Sequence, residues 1–135
     1  MVKGLTFPNK QWEVYSPEEE SAIIDLSPTG ILVLAYPGSS ILRDKVQQDC
    51  RLWRELGEET KFLLRPYVDN LRKWDPIDWA YECLDIIDLY AEYGIPSSQI
   101  ELILADEMNK EGWAENWQES MNWLNTAGEV VKDKS

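Results

Sequence analysis

The chain has 135 residues, 44% of them hydrophobic and 28% charged, which suits one globular domain with a real core. Its net charge of −12 argues against nucleic-acid binding, which needs clustered Lys and Arg, and against attraction to anionic membrane surfaces. There is no His, hence no imidazole zinc site and no His-based triad. No cofactor or metal is expected, and acid–base chemistry falls to carboxylates, Tyr or Lys. No apolar run approaches the roughly 20 residues that span a bilayer. The N-terminus lacks the apolar segment of a signal peptide, so the expectation is a soluble, cytoplasmic chain.

In chain order, Lys3-Gly4-Leu5-Thr6-Phe7-Pro8 is a short first strand over residues 4–8. Ser16-Pro17-Glu18-Glu19 starts a helix: Ser as N-cap, Pro at the first helical position, and Glu three residues on. Ile31-Leu32-Val33-Leu34-Ala35-Tyr36 is continuous and apolar, as in a strand covered on both faces. The second helix starts near Ser39 or Ser40 and ends at Gly57. Leu42, Val46, Cys50, Trp53 and Leu56 form its inner stripe, with Arg43, Lys45, Gln48 and Arg51 off it.

The third strand covers residues 61–68 and gives way to Asp69-Asn70. Asp75-Pro76 opens the third helix, whose inner stripe reads Ile77, Ala80, Leu84, Ile87 and Ala91 before Gly94-Ile95-Pro96 stops it. The fourth strand, 100–105, runs into Asp106-Glu107-Met108-Asn109. A last helix carries Trp113, Trp117, Met121 and Leu124 on one face, and the final residues, about eight, are expected as a flexible tail. Cys50 and Cys83 read as buried apolar side chains within helices.

Strands alternating with amphipathic helices imply parallel βαβ crossovers. The expected fold is therefore α/β, a single domain over residues 1–135 with four parallel βα units and its helices on one side. This is the (β/α)4 half of a TIM-type barrel. A flavodoxin-like open sheet fits the length too. It usually carries a glycine-rich turn after its first strand, and Pro8-Asn9-Lys10-Gln11-Trp12 has none.

Lys61 to Asn70, then Asp75-Pro76-Ile77-Asp78-Trp79-Ala80, then Ile103 to Asn109 resemble the N-terminal half of a clan A glycoside hydrolase barrel. In that clan the fourth strand commonly ends in Asn-Glu-Pro-Asn, and its Glu is the general acid/base. The resemblance implies that role for Glu107, with Asn109 matching the final Asn and Arg65 the Arg near the end of the third strand. Asp106 stands where Asn usually contacts the sugar 2-hydroxyl, and Met108 where Pro is usual. The clan's nucleophile lies on the seventh strand, beyond these four units. A retaining mechanism needs two carboxyl groups about 5 to 5.5 Å apart, so the second must come from another chain or a missing half.

From the residues themselves, Tyr36, Arg65, Tyr67 and Asp69 sit at strand ends where a sugar site would have its rim, and Trp113 has the ring for a stacking platform. Each also has a structural reading. Glu107 and Asp106 mark a polar loop, Arg65 pairs with a carboxylate, and Trp113 continues a helical core stripe. The expected partners are an oligosaccharide and either a second copy or a missing C-terminal half-barrel. The alternative is a non-catalytic structural or interaction subunit on a degenerate barrel fragment.

Overall fold

The computed structural model describes residues 4–6, 14–105 and 117–134. Four helices alternate with four strands: β1 Gly4–Thr6, α1 Pro17–Leu26, β2 Gly30–Ala35, α2 Leu42–Leu56, β3 Lys61–Pro66, α3 Pro76–Tyr93, β4 Ile100–Leu102 and α4 Trp117–Lys134. Local chemistry sets several of these limits. Ser16 closes a capping box, its Oγ accepting from the Glu19 amide while the Glu19 carboxylate accepts from the Ser16 amide. The Asp75 carboxylate accepts from the amides of Ile77 and Asp78, and Pro76 fills the first helical position of α3. Gly57 and Gly94 end α2 and α3 at φ 109° and 121°, where a side chain would be strained.

The strands pair in parallel and in chain order, β1-β2-β3-β4, as expected for consecutive βα units. Among the described residues, six partner positions join β2 and β3 and three join each outer pair. The main core lies on one side of the sheet. Ile31, Val33 and Ala35 of β2 and Phe62 and Leu64 of β3 pack there against Val46, Cys50 and Trp53 of α2 and Ile86 and Tyr90 of α3. Two smaller clusters extend that layer. Tyr15 and Ile23 pack on Leu52 of α2, and Trp123 of α4 joins Trp79, Cys83, Leu102 and Leu104. α2, α3 and α4 thus cover the same face, and α1 packs on α2. By strand alternation Leu32, Leu34, Leu63, Arg65 and Glu101 belong to the opposite one.

Three expectations need correcting. The inner face of α3 is Trp79, Ala80, Cys83, Ile86 and Tyr90, while Ile77 is 45% exposed. α4 likewise buries Ser120 and Ala127 and leaves Met121 44% exposed. In both, most of the face lies one residue earlier than the apolar spacing suggests, a rotation of about 100°. The reason is packing. Trp79 and Trp123 turn their rings inward to donate indole N–H bonds to the Leu104 and Trp74 carbonyls at 2.8 and 2.9 Å, and small Ser120 and Ala127 suit α4 to close packing. The third correction concerns α2, where Lys45 and Gln48 are buried rather than turned to solvent.

β4 is shorter than expected, and residues 7 and 8 of the expected first strand lie outside the described residues. β4 stops at Leu102, although the Ile103 amide still donates to the Leu64 carbonyl at 2.8 Å. α4 continues through Lys134, so the expected flexible tail is helical as far as that residue. No helix among the described residues is long and apolar enough to cross a membrane.

Candidate functional site

Tyr36 and Tyr67 follow the ends of β2 and β3 directly, and the Tyr67 amide donates to the Ala35 carbonyl at 2.8 Å, holding the two exits side by side. Their ring centroids are 6.3 Å apart at 47°. The Arg65 guanidinium lies over the Tyr67 ring, 5.3 Å from its centroid, within cation–π range. The Tyr67 hydroxyl donates to Asp69 Oδ1 at 3.2 Å. Alternation places Leu34, Tyr36, Arg65 and Tyr67 on the face opposite the helices, at the C-terminal ends of the strands. The first three of these side chains beyond Leu34 are half-buried and Asp69 is exposed, so each has one side toward solvent.

Four of the expected site residues, Tyr36, Arg65, Tyr67 and Asp69, are therefore brought together. Asp106, Glu107, Asn109 and Trp113 lie outside the described residues. What the rim offers chemically is two aromatic faces, a planar cation and a carboxylate whose one oxygen accepts from a phenol. That set suits recognition of a polyol, through ring stacking and hydroxyl hydrogen bonds. No group of three or more Cys, Asp or Glu side chains suited to a metal ion occurs among the described residues.

A second polar group escaped sequence reasoning. Lys45 and Asp49 of α2, 1% and 0% exposed, form an ion pair at 3.5 Å inside the helix layer. The Tyr90 hydroxyl donates to Asp49 Oδ2 at 2.6 Å, and the Lys45 ammonium sits 4.5 Å from the Tyr15 ring centroid and 3.4 Å from its hydroxyl. Gln48 clamps the Tyr15 backbone on both sides, accepting from its amide at 2.7 Å and donating to its carbonyl at 2.8 Å. Burial pushes the Asp49 carboxyl above its ordinary range, although Lys45 and the Tyr90 hydroxyl pull the other way. Burial likewise raises both tyrosine hydroxyls, helped by the Asp49 charge, so neither ionises near neutrality. The signal in the sequence was the i,i+4 spacing of Lys45 and Asp49 beside the apolar stripe.

Both thiols are buried as expected. Burial pushes Cys50 up to about 11 and Cys83 up to about 12, each with a smaller push from a neighbouring carboxylate, which leaves them protonated and inert. Comparison of the chain with models of known protein families, with curated proteins and with solved structures gives no match.

Proposed function

We propose that this chain is a (β/α)4 half-barrel directed at carbohydrate, with sugar bound along the C-terminal rim of its sheet. The observation that carries the reading is the Tyr36–Tyr67 pair with Arg65 stacked on it and Asp69 hydrogen-bonded beneath, at adjacent strand ends on the face opposite the helices. Sequential strand order and the packing of α2, α3 and α4 on one face support the half-barrel over a doubly wound sheet, which carries helices on both. Glu107 holds the acid/base position by its resemblance to the clan A motif. Turnover needs a second carboxylate from outside these four units, so binding is the activity assigned to this chain by itself.

The test is titration against a panel of neutral and acidic oligosaccharides, followed by calorimetry and by tyrosine side-chain resonances. The expected result is a saccharide that shifts Tyr36 and Tyr67. Its affinity should drop about fivefold or more in Tyr67→Ala, the equivalent of losing about 1 kcal/mol of ring contact. Glu107→Gln should keep that affinity and lower any hydrolysis by about 100-fold or more. A panel in which nothing binds, or a Tyr67→Ala protein that binds as the parent does, overturns the reading.

We also propose that the face bearing Leu32, Leu34 and Leu63 pairs with a second half-barrel, a copy of this chain being the simplest. Leu32 and Leu63 are half-buried there while Leu34 is already buried, and β1 and β4 are the outer strands of the sheet among the described residues. Sedimentation velocity at tens of micromolar should then report a species of twice 15.7 kDa. A 15.7 kDa species at that concentration removes the copy as partner.

A further inference from the structure

We infer that α1 is a latch over α2: it releases together with Tyr15 as one unit while α2, α3 and the central strands stay folded, and its release opens the buried Lys45–Asp49 pair to water. The latch rests on that cluster and is independent of the carbohydrate reading. Its parts are one lightly held helix, one firm anchor just ahead of it, and a pair of ions beneath the anchor.

The helix itself holds loosely. Among the described residues of α1, Ile23 alone is buried, and with Tyr15 it packs on Leu52 of α2. α3 by contrast buries Trp79, Ala80, Cys83, Ile86 and Tyr90. Arg51 of α2 reaches Glu20 at 2.8 Å, but the Arg51 side chain is 55% exposed, and an ion pair in water adds little. Sparse apolar burial of this kind marks the elements that open first. The anchor is Tyr15, 3% exposed, whose amide and carbonyl are both bound by the Gln48 side chain, at 2.7 and 2.8 Å. Ser16 follows directly and closes the capping box with Glu19, so anchor and helix form one continuous piece.

Beneath the anchor two effects oppose each other. The Tyr15 ring centroid lies 4.5 Å from the Lys45 ammonium and its hydroxyl 3.4 Å away, which favours the closed form. Against it, closure keeps two ions out of water, and Asp49 Oδ1 has no hydrogen bond to offset the loss. When Tyr15 leaves, water reaches the ammonium and the carboxylate 3.5 Å from it. The far side of α2 does not follow. Tyr90 of α3 holds Asp49 Oδ2 at 2.6 Å, and Val46, Cys50 and Trp53 fasten α2 to the sheet and to α3. Contacts that favour closure and hydration that favours opening thus meet at one residue, Tyr15, and the release stays local.

The experiment follows two rates on the full chain: amide hydrogen exchange by NMR, and acetylation of Lys45 by an N-hydroxysuccinimide ester, read by mass spectrometry against the exposed Lys61. The amides of Ile23 and Ile24 in α1 should be at least about tenfold less protected than those of Ile86 and Tyr90 in α3, and Lys45 should react with the same opening constant as α1. Gln48→Ala removes both bonds to Tyr15 and should raise α1 exchange and Lys45 acetylation by one common factor, about tenfold, with α3 unchanged. Ile23→Ala loosens the other end of the unit and should also raise both together. In the parent, low urea should increase both rates with one shared slope, shallower than that of α3, a comparison that does not depend on either variant folding. If the α1 amides are as protected as Ile86 and Tyr90, α1 opens only with the whole domain and there is no latch. If Ile23→Ala frees α1 while Lys45 stays unreactive, or the two urea slopes differ, helix and anchor are separate and the inference falls.

Discussion

Lys45→Met is expected to lower the stability of the fold by about 3 to 5 kcal/mol, because it strands the Asp49 carboxylate without its counter-charge in the helix layer. Methionine keeps the length of the lysine stem, so the loss reports charge and not cavity. Asp49 Oδ1 makes no hydrogen bond, and its contact is the Lys45 ammonium at 3.5 Å, which leaves nothing to replace it. Neutralising the pair instead, with Lys45→Met and Asp49→Asn together, should recover most of the loss, since an amide oxygen still accepts from Tyr90. Urea denaturation of the two variants measures this. A Lys45→Met protein within 1 kcal/mol of the parent, on the roughly 1 kcal/mol scale of ordinary substitutions, would mean that the pair is not sealed from water.

The same pair fixes a sign for the pH dependence. Burial raises the Asp49 pKa in the folded protein above its unfolded value, so the folded state binds the proton more tightly. Its contribution is therefore greatest below the ordinary aspartate value of about 3.9, and is lost as pH rises from there through the raised folded value. Measured against Asp49→Asn, the parent should lose relative stability across that window and then level off. A carboxylate in an exposed ion pair would do the opposite.

Trp79→Ala should cost about 3 to 5 kcal/mol, the range for truncating a large aromatic in a closed core. Trp79 is fully buried, stacked edge-on by Trp74 at 5.5 Å, and its indole N–H holds the Leu104 carbonyl at 2.8 Å. The change removes volume and also orphans that carbonyl. Trp79→Phe keeps most of the ring and should fall between the alanine variant and the parent. Because Leu104 immediately follows the last ladder bond of β4, the loss should be accompanied by faster amide exchange at Ile103 than at residues of β2. Equal protection at both places, or a loss below about 1 kcal/mol, would show that the indole does not secure the strand end.

Several features were legible in the sequence because one short stretch decides them. Ser16-Pro17 with Glu19, and Asp75-Pro76, carry their own hydrogen-bond partners within three residues, and both helices start there. The apolar runs Ile31–Ala35 and Phe62–Leu64 mark the central strands in the same local way. The phase of α3 and α4 was not legible. Period is a property of one helix, but which side faces inward depends on where Trp79 and Trp123 find carbonyls 25 and 49 residues away. The burial of Lys45 has the same origin, since its aromatic cover, Tyr15, arrives from another segment. At the rim, alternation along β2 and β3 was enough to bring Tyr36, Arg65 and Tyr67 together. The approach of Glu119 to Arg72 was not legible, because the two meet only after α4 has folded back.

A sheet whose spatial order is its chain order also has a history written into it. Each strand joins the one made just before it, so no segment has to be threaded between two already paired. Loop closure rises slowly with length, and the demanding event is forming the first ladder long enough to survive. Among the described residues β1 and β2 share three positions, whereas β2 and β3 share six. The six-position ladder of β2 and β3 needs the chain only as far as Pro66, and no later strand is inserted into it. β4 extends the sheet at the open side of β3 and leaves that ladder as it was.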